Sequence, residues 1–172
     1  MLPNNRSGNI TDNLHVALIH YPVMNKKGEN AGSALTTIDM HDIARASFTF
    51  GVKGFFVVTP YEDQAEIARQ VIEHWTKGVG GTLNPFRKQA LELIHVVKTF
   101  QDAITWLKDK EEKPVVTIAT SEKETSETID MKQLRQQLKT DASHIMLFGT
   151  AWGLAEELMN SCDHLLEPIY GA

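Results

Sequence analysis

Short apolar runs alternate along this chain with segments whose apolar positions recur every three or four residues. The first run, residues 14–21 (LHVALIHY), is rich in aliphatic residues and ends at Pro22, so it reads as a buried strand. Runs at 54–60 (GFFVVTP), 91–97 (LELIHVV), 115–120 (VVTIAT) and 144–148 predict four more strands, and 162–166 a short last one. Between them lie helical patterns. Thr37 is expected to cap a helix that places Met40, Ile43, Ser47 and Phe50 on one face, with Asp39 near its positive end and Gly51 at its C′ position. Residues 64–77 carry Ile67, Ala68, Val71, Ile72 and Trp75 on one stripe. Asn84 followed by Pro85 opens a helix, Thr99 opens one with Phe100, Ala103, Ile104 and Leu107 inward, and Asp130 opens one carrying Leu134 and Leu138. Residues 23–37 read as a long loop and 121–130 as a mobile polar segment. Repeated strand–helix alternation predicts an α/β fold: a mostly parallel sheet with helices on both faces. Residues 1–13 are polar and read as a frayed tail, leaving one domain over 14–172.

One junction stands out. In IMLFGTAWGL (145–154) an apolar strand meets a turn bracketed by Gly149 and Gly153, and a helix through Met159 follows. Glycines let a backbone turn sharply and approach a ligand closely, and ligands in α/β sheets bind beyond the carboxyl ends of strands. The denser GVGGTLNPFRKQ segment (78–89) lacks the Gly-Lys-Ser/Thr ending of a phosphate-cradling loop and does not follow a strand.

Composition narrows the classes. With 42% hydrophobic and 23% charged residues in 172, the chain is neither disordered nor membrane-like. The polar start has no apolar signal core, and the single Cys162 cannot form an internal disulfide; both point to the cytoplasm. Cys162 reads as a buried or half-buried thiol rather than a nucleophile. A net charge of −5 gives no bulk attraction to nucleic acid, so RNA binding requires a local basic patch or the surface of a second subunit. Arg87 and Lys88 are such a point, either a solvated helix face or a phosphate contact. His15 reads as a packed, hydrogen-bonded sheet residue, and His20, at the strand's carboxyl end, as a weak site candidate. There is no CxxC, HExxH, GxSxG or GxGxxG pattern, so metal, acyl-transfer and conventional dinucleotide chemistry lack support.

HYPVMNKKGE, DMHDIARASFTFGVKGFFVVTP, HWTKGVGGTLNPFRKQAL, LFGTAWGL and LLEPIYG together resemble the bacterial SPOUT-class (α/β-knot) family of S-adenosylmethionine-dependent RNA methyltransferases, over residues 14–171. The resemblance implies a trefoil-knotted α/β fold, a homodimer, and S-adenosylmethionine bent into a pocket of three carboxyl-end loops, leaving S-adenosylhomocysteine as product. The first loop would be Thr120 and Ser121. The second would be Phe148, Gly149, Thr150, Trp152 and Gly153. The third would be Leu166, Pro168, Ile169 and Gly171. Trp152 either lines that pocket or supports it from the core. Arg45 falls where relatives carry a functional arginine, with Asp42 and His41 one turn earlier on the same face. Arg45 would orient the RNA phosphate or assist deprotonation of the acceptor, and Asp42 or His41 would orient Arg45 or act as base. Relatives continue into an Asn-His-Leu-Ser-Val-Arg segment that threads the knot; its absence here makes the domain C-terminally incomplete by this reading. The implied function is methyl transfer to transfer or ribosomal RNA, without metal and without membrane. The alternatives are a non-catalytic module binding cofactor, RNA or protein on the same scaffold, and an unrelated α/β nucleotide-binding enzyme.

Overall fold

The computed structural model describes residues 10–122 and 128–169. Its core is a seven-stranded sheet built from β1 (Leu14–Ile19), β4 (Gly54–Val58), β5 (Ile94–Val97), β6 (Val115–Thr120), β7 (Thr128–Ile129), β8 (Ser143–Gly149) and β9 (His164–Leu166). The order across the sheet is β5-β4-β1-β8-β6-β9-β7, and every neighbouring pair is parallel. β1 is central and buried throughout, with Ala17 opposite Phe56 on one side and Leu147 on the other. A strand covered on both faces must be apolar on both, which is why LHVALI shows no alternation.

Two hydrophobic layers flank the sheet. On one face α1 (Thr37–Phe50), α2 (Glu62–Thr76), α4 (Pro85–Leu91) and α6 (Met131–Gln137) bring Met40, Ala44, Ala68, Leu91 and Leu134 against Leu18, Phe55 and Ile118. On the other, α5 (Phe100–Glu111) and α7 (Glu156–Asn160) bring Ala103, Leu107 and Leu158 against Ile19, Phe56 and Leu147. The helix ends follow local chemistry. Thr99 and Asp102 exchange capping-box hydrogen bonds, as do Asp130 and Gln133. Gly51 ends α1 at φ 73°, the left-handed conformation that glycine adopts without a Cβ penalty.

Several expected boundaries shift. The cap of α1 is Thr36, whose hydroxyl accepts from the Asp39 amide; Thr37 is the first helical residue. Residues 91–93 are not strand: α4 runs through Leu91, and β5 begins at Ile94. The last strand starts at His164 because Asp163 is engaged beforehand, its carboxylate accepting from the Thr117 amide at 2.8 Å and hydroxyl at 2.7 Å. Residues 79–83 form a short helix, α3 (Val79–Leu83). The expected loop at 23–37 contains an antiparallel hairpin, β2 (Val23–Met24) and β3 (Asn30–Ala31). In the expected polar segment, Thr128 and Ile129 add an edge strand beside β9, while 123–127 lie outside the described residues. Among the described residues no helix is long and apolar enough to cross a membrane.

His15 is fully buried, but neither ring nitrogen has a hydrogen-bond partner among the described residues, in contrast to the expected bonded sheet residue. Its ring lies 6.1 Å from that of Phe56. Burial lowers its pKa from 6.5 to about 4, the Glu111 charge opposing and the Lys53 charge assisting. The unfolded chain therefore takes up a proton at His15 before the folded one does, and stability falls as pH drops from about 6.5 toward 4. His20, His41, His95 and His144 are shifted in the same direction by burial. Urea denaturation is expected to show about 2 kcal/mol of stability lost from His15 alone between pH 7 and pH 5. A His15→Leu variant should lose that part of the slope; an unchanged slope would contradict it.

Candidate functional site

The carboxyl ends of β1, β6 and β8 meet at one edge of the sheet. Ile19 stands opposite Gly149 there. The chain leaving β8 reverses within residues 149–154, with Ala151 at φ 53°, Gly153 at φ 99° and a Gly153 amide donating to the Thr150 carbonyl at 2.9 Å. A Cβ on Gly149 would stand 2.4 Å from the Leu154 nitrogen, so only glycine permits this closure. The hairpin locks the turn from outside. Met24 N–H donates to the Gly153 carbonyl at 2.9 Å, and Trp152 N–H donates to the Met24 carbonyl at 3.2 Å.

From inside, a part-buried polar chain holds the same turn. Thr150 Oγ1 donates to the Ile19 carbonyl at 3.0 Å, and Ser33 Oγ lies 2.5 Å from Thr150 Oγ1 and 3.0 Å from His20 Nδ1. With the Thr150 proton committed to a carbonyl, Ser33 donates to Thr150 and His20 Nδ1–H donates to Ser33. His20 Nε2 then carries a buried lone pair with no partner among the described residues. Burial, opposed by Asp39 and by hydrogen bonding to Ser33, lowers the His20 pKa, consistent with the neutral ring.

Beneath the hairpin, between the ends of β6 and β8 and the start of α7, lies a cavity of about 840 Å³. That is ample for a nucleoside-sized ligand. Met24, Trp152, Leu154, Met159 and Leu165 give it apolar walls. Thr120, Ser121, Asn25 and Asn160 give it polar groups, and Lys26, Glu122 and Glu156 give it charges of both signs. A Cβ built on Gly153 meets nothing within 4 Å, so this glycine faces open space. The donor set fits S-adenosylmethionine: apolar surfaces for a flat adenine, carboxylates for a sulfonium and an ammonium, and a lysine for a carboxylate.

Of the residues expected in the cofactor loops, Thr120, Ser121, Gly149, Trp152 and Gly153 line this cavity. Trp152 is 63% exposed at the rim, on the lining side of the two readings. Thr150 instead faces the polar chain to His20, and Leu166 is buried in the core under α6. Thr120 also donates to the Leu147 carbonyl at 2.7 Å. Phe148 and Ile169 are exposed and Pro168 half-buried, none of them lining the cavity; Gly171 lies outside the described residues. The hairpin contribution, from Met24 to Gly28, was missed by the sequence reading. Its only signal was the Gly28 turn between residues that carry no hydrophobic alternation.

The expected catalytic residues lie elsewhere. Arg45 lines a second cavity, of about 400 Å³, that shares no residue with the first. α1 packs on one face of the sheet and α7 on the other. Asp42 is 3.8 Å from Arg45 in an exposed pair, which contributes little stability. His41 is turned toward the Trp75 ring, centroids 5.6 Å apart, with a buried, unpartnered Nδ1. Burial and the Arg87 charge lower its pKa, Asp42 opposing, so it is a neutral imidazole near pH 7. Arg87 lines the Arg45 cavity, whereas Lys88 pairs with Glu92 at 3.9 Å. The Cys162 thiol is half-buried, with its pKa pushed up to about 11 by burial, which suits no nucleophile. Among the described residues no group of three His, Cys, Asp or Glu side chains is arranged to hold a metal.

A parallel sheet with a glycine-bracketed cavity at its carboxyl edge defines an α/β protein built to hold a nucleoside-type cofactor. The chain belongs to the family of SAM-dependent RNA methyltransferases, whose model matches residues 13–172. It is 40% identical over 157 residues to a tRNA (guanine-N(1)-)-methyltransferase of Oleidesulfovibrio alaskensis, covering 91% of this chain and 36% of that protein. It is 31% identical over 164 residues to an uncharacterized protein of Aquifex aeolicus, covering 95% and 80%. The chain thus spans little more than a third of the first relative's length and most of the second's. In structure it is similar to a probable methyltransferase from Bordetella pertussis, with a TM-score of 0.60 and 14% identity over 94% of this chain and 82% of the other. It is also similar to TrmJ from Z. mobilis, with a TM-score of 0.51 and 13% identity over 92% and 58%. The fold is the SPOUT-type α/β methyltransferase fold expected from the resemblance.

A Gly153→Asn variant separates fold from binding here, because asparagine tolerates positive φ while its side chain enters the cavity. Its melting temperature is expected to fall by several degrees, because φ 99° strains any residue with a side chain, while the fold is retained. Its affinity for S-adenosylmethionine, by calorimetric titration, is expected to fall at least about tenfold, or 1.4 kcal/mol. Unchanged affinity would place the cofactor elsewhere.

Proposed function

We propose that this protein transfers the methyl group of S-adenosylmethionine to RNA, either transfer or ribosomal, as a cytoplasmic homodimer. The observation that carries the proposal is the cavity at the ends of β6 and β8, where Gly153 leaves the backbone open to a ligand. Membership of the family supports the cofactor. The relative from Oleidesulfovibrio alaskensis is named for transfer RNA, and that supports transfer RNA as acceptor. Its guanine-N(1) position belongs to a protein far longer than the matched stretch and is not carried over.

The bound cofactor supplies a methyl carbon already activated by a sulfonium. The chain's work is therefore to hold that group, exclude water and orient the acceptor. The turn 149–154, the hairpin and Thr120–Glu122 enclose the cavity on several sides. In this reading Arg45 holds a phosphate of the acceptor nucleotide, Asp42 steadies Arg45, and neutral His41 is the candidate base. Arg87 and Lys88 supply further positive charge on α4.

The separation of the two cavities supports the dimer. Arg45 and the cofactor cavity occupy opposite faces of the sheet and share no lining residue. A nucleotide held at Arg45 reaches a methyl group most simply when a second copy presents its own cofactor cavity to it. Two-fold assembly places such a pair twice in one particle.

An Arg45→Ala variant is expected to bind S-adenosylmethionine within about twofold of wild type and to lose methyl transfer to bulk RNA by about 100-fold or more. Titration with ATP in place of S-adenosylmethionine is expected to give no comparable binding. Full transfer by a folded Arg45→Ala variant would remove Arg45 from the mechanism. Cofactor binding without methyl incorporation into any RNA by the wild type would favour a non-catalytic binding module.

A further inference from the structure

The second cavity has a composition that its assignment to Arg45 alone does not explain. Arg45, Phe48, Asn84, Phe86, Arg87 and Ala90 line it, and no acidic side chain does. Asn84 is already used as the cap of α4, accepting from the Arg87 amide at 3.0 Å. Two guanidinium groups therefore share one opening on a chain whose net charge is −5. Asp42 reaches only Arg45, from the exposed side. Arg87 has no ion pair among the described residues.

Arg87 is nevertheless held in place. Its guanidinium carbon lies 4.6 Å from the centroid of the Trp75 ring. That ring is itself packed edge-on by His41 and His74, at 5.6 and 5.2 Å. The Arg87 Nε is buried and has no hydrogen-bond partner among the described residues. A planar cation stacked on tryptophan keeps its charge while losing the freedom to fold away. Beside it the Phe86 ring is 70% exposed, on a helix whose neighbouring turns bury Ala90 and Leu91.

An exposed flat apolar ring beside two guanidinium groups, one with no ion pair among the described residues and the other met only by an exposed carboxylate at 3.8 Å, matches one chemical pattern: a phosphodiester attached to an unstacked base. A duplex offers the phosphate but hides the base face. An apolar protein surface would cover Phe86 but bury the Arg87 charge without a counterion among the described residues and leave Arg45 only the 3.8 Å contact with Asp42, which is costly. We infer that this cleft binds one unpaired nucleotide of the RNA, its phosphate between Arg45 and Arg87 and its base on the Phe86 ring. Trp75 acts as a positioning residue that fixes the Arg87 fork. The inference rests on the RNA reading above and specifies it: the acceptor is presented as single strand, in a loop or an opened end.

The test uses the full chain and a fluorescently labelled RNA octanucleotide, as single strand and as duplex, with anisotropy read across a salt series. Wild type is expected to bind the single strand at least about tenfold more tightly than the duplex. Phe86→Ala should weaken single-strand binding about tenfold without changing the salt slope, and Phe86→Tyr should restore it. Arg87→Ala should reduce the slope of log K against log salt by about 0.7, the amount expected for one phosphate contact to a single strand. Arg87→Lys should keep the slope but lose affinity, since lysine keeps the charge without the stacked fork. S-adenosylmethionine titration of each variant, expected unchanged, verifies the fold. Wild-type binding that all four variants leave intact would overturn the inference while leaving the RNA reading standing. Absence of RNA binding by wild type in either form would overturn both. Dissociation of a dimer by Phe86→Ala with unaltered RNA affinity would overturn the inference and make the patch a contact between copies.

Discussion

The approach of Gly149 to the backbone of Gly153 and Leu154 sets the geometry of everything at the carboxyl edge of the sheet. Any side chain at 149 would meet the Leu154 nitrogen and force the turn open. Because the turn closes, Leu154 can pair with Val23, and the hairpin is drawn across the ends of β6 and β8. The same closure brings Thr150 to the Ile19 carbonyl and to Ser33, so that a part-buried polar chain fixes the turn from the sheet side. One missing methyl group thus couples three distant pieces of sequence: the end of β1, the hairpin and the β8 turn. A cavity enclosed in this way has walls that are hydrogen-bonded to each other before any ligand arrives, which lowers the ordering cost of binding.

Charge is distributed with similar economy. The chain is acidic overall, yet the two guanidinium groups of Arg45 and Arg87 face one opening on the α1–α4 side. Burial favours the neutral form of His41 beside them, so the local positive charge is supplied by the two arginines. The cavity at the carboxyl edge, in contrast, carries Lys26 with Glu122 and Glu156 and suits a ligand bearing charges of both signs. Two sites of different electrostatic character on opposite faces of one sheet make sense for a reaction between a small zwitterionic donor and a polyanionic acceptor.

Much of this was legible in the residues. The apolar runs gave the strands, since a parallel sheet covered on both faces leaves no alternation to misread, and β1, β4, β6 and β8 fall where those runs lie. Caps at Thr99 and Asp130 were equally plain. What failed was short or depended on tertiary contacts. Leu91 looks like strand in LELIHVV because its side chain is buried, yet it is buried from a helix. The hairpin at Val23–Ala31 has two-residue strands, and its pairing with the β8 turn is long-range, so no local pattern announces it. Likewise Thr150 carries no mark in sequence that it would face Ser33 rather than the cavity. The place of Arg87 over Trp75 depends on how α2 and α4 pack, so the pairing of the two arginines in one cleft was visible only in the fold.

In the proposed dimer, donor and acceptor sites lie apart on each chain, share no lining residue, and work together across the pair. Subunit mixing tests it. Arg45→Ala and Gly153→Asn proteins, each inactive alone by this account, are combined, dissociated and reassociated, and methyl transfer to RNA is measured. Random pairing makes half of the particles mixed, and each mixed dimer carries one intact composite site of two. Activity is therefore expected to recover to about a quarter of wild type. Recovery to no more than the sum of the separate variants, with mixed dimers present, would contradict the claim and return both sites to a single chain.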